Sequence, residues 1–212
     1  MPAVWQRTNN VFSILVWHSS EPIEVLFQNA DLKNKDVIDW QSFKSESRKR
    51  EWLTVRNALK ELIPSSKNVI LFYDENGKPL LEDGYISISH SHNYIALMYS
   101  KISGIGIDIE IIHPRILKLL QRFLNEKEKE YIIPLNNVEM IHAMWGAKEV
   151  LYKIHSLGNI DFKKDLFVHS FSYDKSGSIH ASILKKGYEE KLNVFYEQLD
   201  GYMLTWAHRD EN

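Results

Sequence analysis

Three carboxylates and one lysine, spread over two segments, have spacings that could do chemistry. Asp108 and Glu110 stand two apart in Gly104-Ile-Gly-Ile-Asp-Ile-Glu110. On a strand, residues two apart share a face, so the two carboxylates are presented together while Ile107 and Ile109 pack the other way. Like charges held close repel unless a proton or a cation lies between them. A hard divalent cation with oxygen ligands, Mg²⁺ above all, removes the conflict. The plain alternative is a strand edge carrying two solvated acids, the commoner setting for charged side chains. The second segment is Trp145-Gly-Ala-Lys-Glu149-Val-Leu-Tyr-Lys153. Glu149 and Lys153 share a helix face four residues apart. As a surface ion pair they contribute only about 0.3–0.5 kcal/mol. Trp145, also four from Glu149, puts that stripe at a half-buried location. A third carboxylate near Asp108 and Glu110 would complete a Mg²⁺ site, and Lys153 would then reach a phosphate.

Two further clusters carry positive charge or hydroxyls. Ser89-His90-Ser91-His92 follows an apolar stretch and is expected in a turn, where hydroxyls and imidazoles suit an oxyanion. Zinc on His90 and His92 competes with that reading, although His-x-His supplies only two ligands. An ordinary polar turn is the third possibility. Arg48-Lys49-Arg50, with Arg56, sits at the start of an amphipathic run. Positive charge there opposes the helix dipole, so the cluster either serves an anion or is a solvated basic face.

The elements that must position these groups follow from periodicity. Val11–Val16 is expected as the first strand, and residues 20–40 as a surface stretch with one or two short helices. Ser45–Leu62 repeats Trp52, Val55, Leu59 and Leu62 at helical spacing, with Pro64 ending the run. Val69–Tyr73 is expected as a strand before the turn Asp74-Glu75-Asn76-Gly77. Tyr85–Tyr99 is expected as a strand, the polar turn at Ser89–Asn93, and a second strand or helix start. Ile102–Ile109 is a strand broken by Gly104 and Gly106. Arg115–Ile133 is expected to be helical up to Pro134, and Glu139–His155 to be a second strong helix. Four strands follow: Leu166–Tyr173, Ser178–Leu184, Leu192–Gln198 and Tyr202–Ala207. The pattern predicts an α+β fold in two similar halves, 1–102 and 103–212, each with one main helix and several strands.

Composition narrows the functions. The 212 residues carry a formal net charge of -2, with 44% hydrophobic and 25% charged residues, an ordinary globular balance. Absence of cysteine excludes disulfides, thiolate metal sites and cysteine nucleophiles. Near-neutral charge argues against nucleic-acid binding, which needs a basic footprint. Runs such as Val11–Trp17 are too short to span a bilayer, and no signal peptide is read at the N-terminus. A cytoplasmic monomer is expected.

Taken in order, these segments resemble the 4′-phosphopantetheinyl transferase superfamily, in its long, surfactin-synthetase-activating type. Arg50-Glu51-Trp52 with Arg56 is similar to that family's arginine helix, and Gly77-Lys78-Pro79 to its Gly-Lys-Pro turn. Ile86-Ser-Ile-Ser-His-Ser91 is similar to its Asn-Ile-Ser-His-Ser segment, with Ser87 where Asn is frequent. Gly106–Glu110 resembles its metal motif, and Arg122-Phe123-Leu124 with Glu128 the helix after it. Trp145-x-x-Lys148-Glu149-x-x-x-Lys153 resembles its second signature, with Gly146 where Ser, Thr or Cys is usual.

The resemblance implies two pseudo-symmetric α/β halves with coenzyme A bound between them, the second half carrying the metal and catalytic motifs. It implies that Asp108, Glu110 and Glu149 hold Mg²⁺ against the coenzyme A pyrophosphate and that Glu149 is the general base for a serine of an apo acyl or peptidyl carrier protein. Lys153 would contact the phosphates and stabilise departing 3′,5′-ADP. Ser89, His90 and Arg50 would grip the 3′-phosphate, and Lys78 would face the phosphates. Another Mg²⁺-dependent phosphate enzyme, or a non-catalytic relative that binds carrier domains, are the competing functions.

Overall fold

The computed structural model describes residues 3–64, 70–155 and 160–209. Its fold is α+β, and the chain divides into two compact units, Met1–Ile102 and Ser103–Asn212.

In the first unit an antiparallel sheet runs in the order β1 (Ala3–Thr8), β2 (Phe12–His18), β6 (Tyr94–Ser100), β5 (Tyr85–Ser91). The sequence reading begins with β2 and misses β1, an exposed edge strand of mixed polarity. Two short helices follow β2, α1 (Ile23–Asn29) and α2 (Asn34–Ser42), and then α3 (Glu46–Leu62). Ser45 caps α3, its Oγ accepting from the Arg48 N–H at 3.4 Å. Val55, Ala58 and Leu59 of α3 pack on Leu15 and Trp17 of β2, Ile95 and Leu97 of β6, and Ile86 of β5. Each such side chain, once buried, contributes about 1.5–3 kcal/mol if it is large and aliphatic or aromatic. A two-stranded hairpin, β3 (Leu71–Tyr73) with β4 (Pro79–Leu81), turns at Asp74–Lys78. Asp74 Oδ1 accepts from the N–H groups of Asn76 and Lys78 at 2.9 and 2.8 Å, and Gly77 supplies φ +79°. The expected strand start at Val69 lies outside the described residues.

The second unit has a five-stranded antiparallel sheet in the order β7 (Ile105–Ile111), β11 (Tyr202–His208), β10 (Tyr188–Leu199), β9 (Ser176–Lys185), β8 (Leu166–Val168). Helix α6 (Val138–His155) lies across β7 and β11. Two glycines permit that close approach. A Cβ on Gly106 of β7 would meet the Val150 carbonyl oxygen at 2.7 Å, and one on Gly146 of α6 would meet Thr205 Oγ1 at 2.5 Å. The span read as one helix, Arg115–Ile133, is broken into a 3₁₀ turn (Pro114–Lys118), α4 (Leu120–Phe123) and α5 (Glu126–Ile132). The break is made by Asn125, whose Oδ1 accepts from the Glu128 N–H while Glu128 Oε2 accepts from the Asn125 N–H, both at 2.9 Å. That reciprocal pair starts a new helix. Among the described residues no helix is long and apolar enough to cross a membrane.

Candidate active site

Asp108 and Glu110 lie on β7 on the face turned to α6. Their partners across the strand pair are Thr205 and Met203 of β11, and Gly146 of α6 rests on Thr205. Asp108 is 4% exposed and Glu110 half-buried. Two turns further along α6, Lys153 Nζ donates to Asp108 Oδ1 at 2.9 Å and to the Ile107 carbonyl at 2.7 Å. The ammonium is therefore drawn to the buried carboxylate. A charge this deep needs a counter-charge, so Lys153 is engaged with Asp108 rather than extended away from the strand.

Glu149 is half-buried on the same face of α6. Burial first, then the Asp108 carboxylate, pushes its carboxyl up to about 7; Lys153 opposes the shift and Glu110 adds to it. Both neighbouring acids thus act on Glu149 with the sign expected of like charges. Among the described residues no three His, Cys, Asp or Glu side chains gather closely enough to hold a metal as they stand. The chemistry of the set still fits a hard cation, because all three donors are carboxylate oxygens whose mutual repulsion a divalent ion relieves.

Lys148, next to Glu149 in both the sequence and the signature, points the opposite way. Its side chain is 0% exposed, as is that of Glu128 on α5. Lys148 Nζ donates to Glu128 Oε2 at 2.7 Å, to the Phe123 carbonyl at 2.6 Å and to the Phe162 carbonyl at 2.8 Å. All three ammonium protons are used. Glu128 Oε1 accepts from the Val168 N–H at 2.9 Å. This pair ties α6 to α4, α5 and β8 behind the acidic face. Trp145 stacks on Phe162 and meets Phe123 edge-on, with ring centroids 5.6 and 5.1 Å apart. The sequence alone gives Lys148 no structural task. The signal was Asn125-x-x-Glu128, which marks a helix start and so fixes where Glu128 points.

In the first unit, Ser89 and His90 lie on strand β5, not in a turn; the turn is only His92–Asn93, with His92 at φ +53°. Polar residues in Ile86–Ser91 obscured the alternation, yet the pairing with β6 runs unbroken to Ser91↔Tyr94. Ser89 is buried and His90 exposed, as alternate positions on a strand require. His90 Nε2 lies 3.2 Å from Glu51 Oε1 on α3, and the same oxygen takes the Arg48 guanidinium. Arg50 donates to the Glu21 carbonyl at 2.5 Å. Lys78 is exposed in the β3–β4 turn. Arg56 covers the Trp52 ring at 3.0 Å, and burial lowers its guanidinium to about 10.

The family model of the 4′-phosphopantetheinyl transferase superfamily matches residues 104–207, which hold β7, α6 and the whole acidic face. This segment, just under half of the chain, is thus similar to the 4′-phosphopantetheinyl transferase superfamily. Among similar proteins, the 4′-phosphopantetheinyl transferase AcpT of Escherichia coli K12 is 29% identical over 114 residues, 50% of this chain and 57% of that protein. The 4′-phosphopantetheinyl transferase gsp of Aneurinibacillus migulanus is 26% identical over 142 residues, 65% of this chain and 57% of that protein. The Synechocystis sp. protein slr0495, provisionally named for the same activity, is 26% identical over 142 residues, 60% of this chain and 58% of that protein. The chain thus spans under three fifths of the length of these relatives.

Proposed function

We propose that this protein transfers the 4′-phosphopantetheine arm of coenzyme A to a serine of an apo acyl or peptidyl carrier protein and releases 3′,5′-ADP. The observation that carries the reading is the acidic face, with Asp108 and Glu110 on one side of β7, Lys153 of α6 on Asp108, and the Glu149 carboxyl pushed up by burial and by both acids. In the transfer, the carrier serine oxygen forms a bond to the phosphorus that bears pantetheine, and the bond from that phosphorus to 3′,5′-ADP breaks. Glu149 takes the serine proton. A carboxyl titrating near 7 suits that work, because a base acts best when its pKa lies near the operating pH. Lys153 offsets charge on the leaving phosphate. Asp108, Glu110 and Glu149 would hold Mg²⁺, which when bound supplies charge neutralisation at the pyrophosphate. Phosphoryl transfer asks mainly for such positioning and neutralisation.

Arg50, Ser89 and His90 are assigned to the 3′-phosphate and Lys78 to the phosphates. These groups supply the donors and positive charge that an anion requires. A cytoplasmic monomer belongs to the same proposal.

The test is to incubate the protein with Mg²⁺, coenzyme A and several apo carrier proteins, and to weigh the carriers. A carrier heavier by the phosphopantetheine arm, only when all three components are present, supports the proposal. Turnover of coenzyme A without any carrier would instead make the protein a hydrolase, and carrier binding without modification would make it a non-catalytic relative.

A further inference from the structure

Two of the nine histidines stand opposite each other at the β8 end of the second sheet, across its width from β7. The pairing of β8 with β9 runs Leu166↔Ile183, Phe167↔Ser182 and Val168↔Ala181. It continues one residue on, where the His169 N–H donates to the His180 carbonyl at 3.0 Å. His169 and His180 are therefore cross-strand neighbours. Leu166, Val168, Ala181 and Ile183 belong to the core that α6 covers. The residues that alternate with them, Phe167, His169, His180 and Ser182, share the opposite face of the sheet, and both histidines are exposed there.

His169 is already oriented. Its ring meets Phe167 edge-on with centroids 5.0 Å apart, and its Nε2 is hydrogen-bonded at 3.2 Å to Oγ of Ser182, a residue only 2% exposed. A serine hydroxyl can accept a hydrogen bond. When Nε2–H donates to it, the neutral ring keeps its lone pair on Nδ1, which is what a metal cation requires. Histidines that ligate metals donate their other ring N–H in this manner, which fixes the ring and raises its basicity. The His180 side chain makes no hydrogen bond or ion pair among the described residues, so its ring can turn towards His169.

We propose that His169 and His180 chelate a borderline divalent cation, Zn²⁺ foremost, which clips the edge strand β8 to β9. Directly opposed residues of antiparallel strands have Cβ atoms about 4.5–5.5 Å apart, and each zinc–nitrogen bond spans about 2.0–2.1 Å. One ion can thus bridge the two rings with both strands in place, and water completes its coordination. Donor type separates this site from the acidic face. Imidazole suits zinc, copper and nickel, whereas carboxylate oxygens suit Mg²⁺. Strand β8 has three residues and one neighbouring strand, so a tie to β9 reinforces the least supported strand of the sheet. The proposal is independent of the transferase reading.

The experiment titrates Zn²⁺ into the protein by calorimetry, with Mg²⁺ in large excess to occupy the acidic face. His169→Ala and His180→Ala should each weaken Zn²⁺ binding about 10²-fold, the usual gain from joining two ligands in one site. The double variant should bind no more weakly than either single one, because loss of one end already undoes the chelate. Ser182→Ala keeps both ligands and should cost about tenfold, through the orientation of His169. Zn²⁺ should raise the Tm of wild type but not that of His180→Ala. Substoichiometric Cu²⁺, a paramagnetic ion of the same donor preference, should broaden the NMR ring signals of His169 and His180 together. Unchanged Zn²⁺ affinity in His180→Ala, losses that add in the double variant, or broadening of one ring without the other would overturn the proposal.

Discussion

Lys148→Met should destabilise the protein severely while leaving its acidic face chemically intact. The substitution keeps length and apolar volume but removes an ammonium that makes three hydrogen bonds inside the second unit. It leaves the Glu128 carboxylate at 0% exposure with, among the described residues, the Asn125 and Val168 N–H groups as its remaining partners, and it strips a donor from the Phe123 and Phe162 carbonyls. Breaking a buried ion pair by removing one partner costs about 3–5 kcal/mol. That is a large share of the roughly 5–15 kcal/mol that holds a typical domain folded. For a chain of this size each kcal/mol corresponds to about 2–4 °C in Tm, so the melting point should fall by about 6–20 °C. The pair itself is tested by Lys148→Met combined with Glu128→Leu. With no charge left in the interior, the double variant should be less destabilised than the sum of the two single variants, because the two residues are in contact and their effects do not add. Urea unfolding of the four proteins measures this. A Lys148→Met variant within about 1 kcal/mol of wild type would refute the reasoning, since a cation so placed cannot be silent if it neutralises Glu128.

Three other outcomes follow. Gly146→Ser, which restores the hydroxyl usual after the tryptophan in the family, drives a Cβ to 2.5 Å from Thr205 Oγ1 and should cost about 1–3 kcal/mol by overpacking; adding Thr205→Ala should recover most of it in a thermal melt. His142 is buried with Nε2 accepting from the His113 N–H at 3.0 Å, and burial holds its pKa below the usual histidine value. The unfolded chain then binds the proton more readily, so stability is full above about pH 6.5 and falls as pH drops below it. His142→Gln should flatten that slope, and an unchanged slope would remove His142 as its cause. Coenzyme A with Mg²⁺ should raise the Tm, since a ligand at one hundred times its Kd adds about 2.7 kcal/mol; no shift at saturating ligand would count against a coenzyme A site.

The sequence was most legible where pattern and chemistry coincide. Alternation in Gly104–Glu110 placed Asp108 and Glu110 on one face of a strand, and helical spacing placed Glu149 and Lys153 on the helix that crosses it. Elements defined by partners rather than by their own pattern were less legible. Strand β1 has too few apolar residues to announce itself and exists by pairing with β2. Strand β8 ends at Val168 rather than Tyr173, although Phe171 and Tyr173 still pack against the core. Strands β9 and β10 extend past their apolar runs to the polar ends Lys185 and Tyr188, which pair beside the turn at Gly187. Ser89 and His90 looked like turn residues because their polarity hid a strand whose register with β6 supplies its order. Lys148 and Glu149, neighbours with similar polarity, were separable only once the helix was packed, because 100° of rotation sends one into the core and the other to the acidic face.

The central claim is that Glu149 accepts the proton of the carrier serine. Glu149→Gln preserves size and leaves an oxygen for coordination, but takes up no proton. The decisive measurement sets coenzyme A affinity beside the rate at which the arm is transferred to an apo carrier protein. The account predicts nearly normal affinity with a rate lower by about 10²–10⁴-fold, the usual loss when a general base is removed. Transfer at close to the wild-type rate would contradict it.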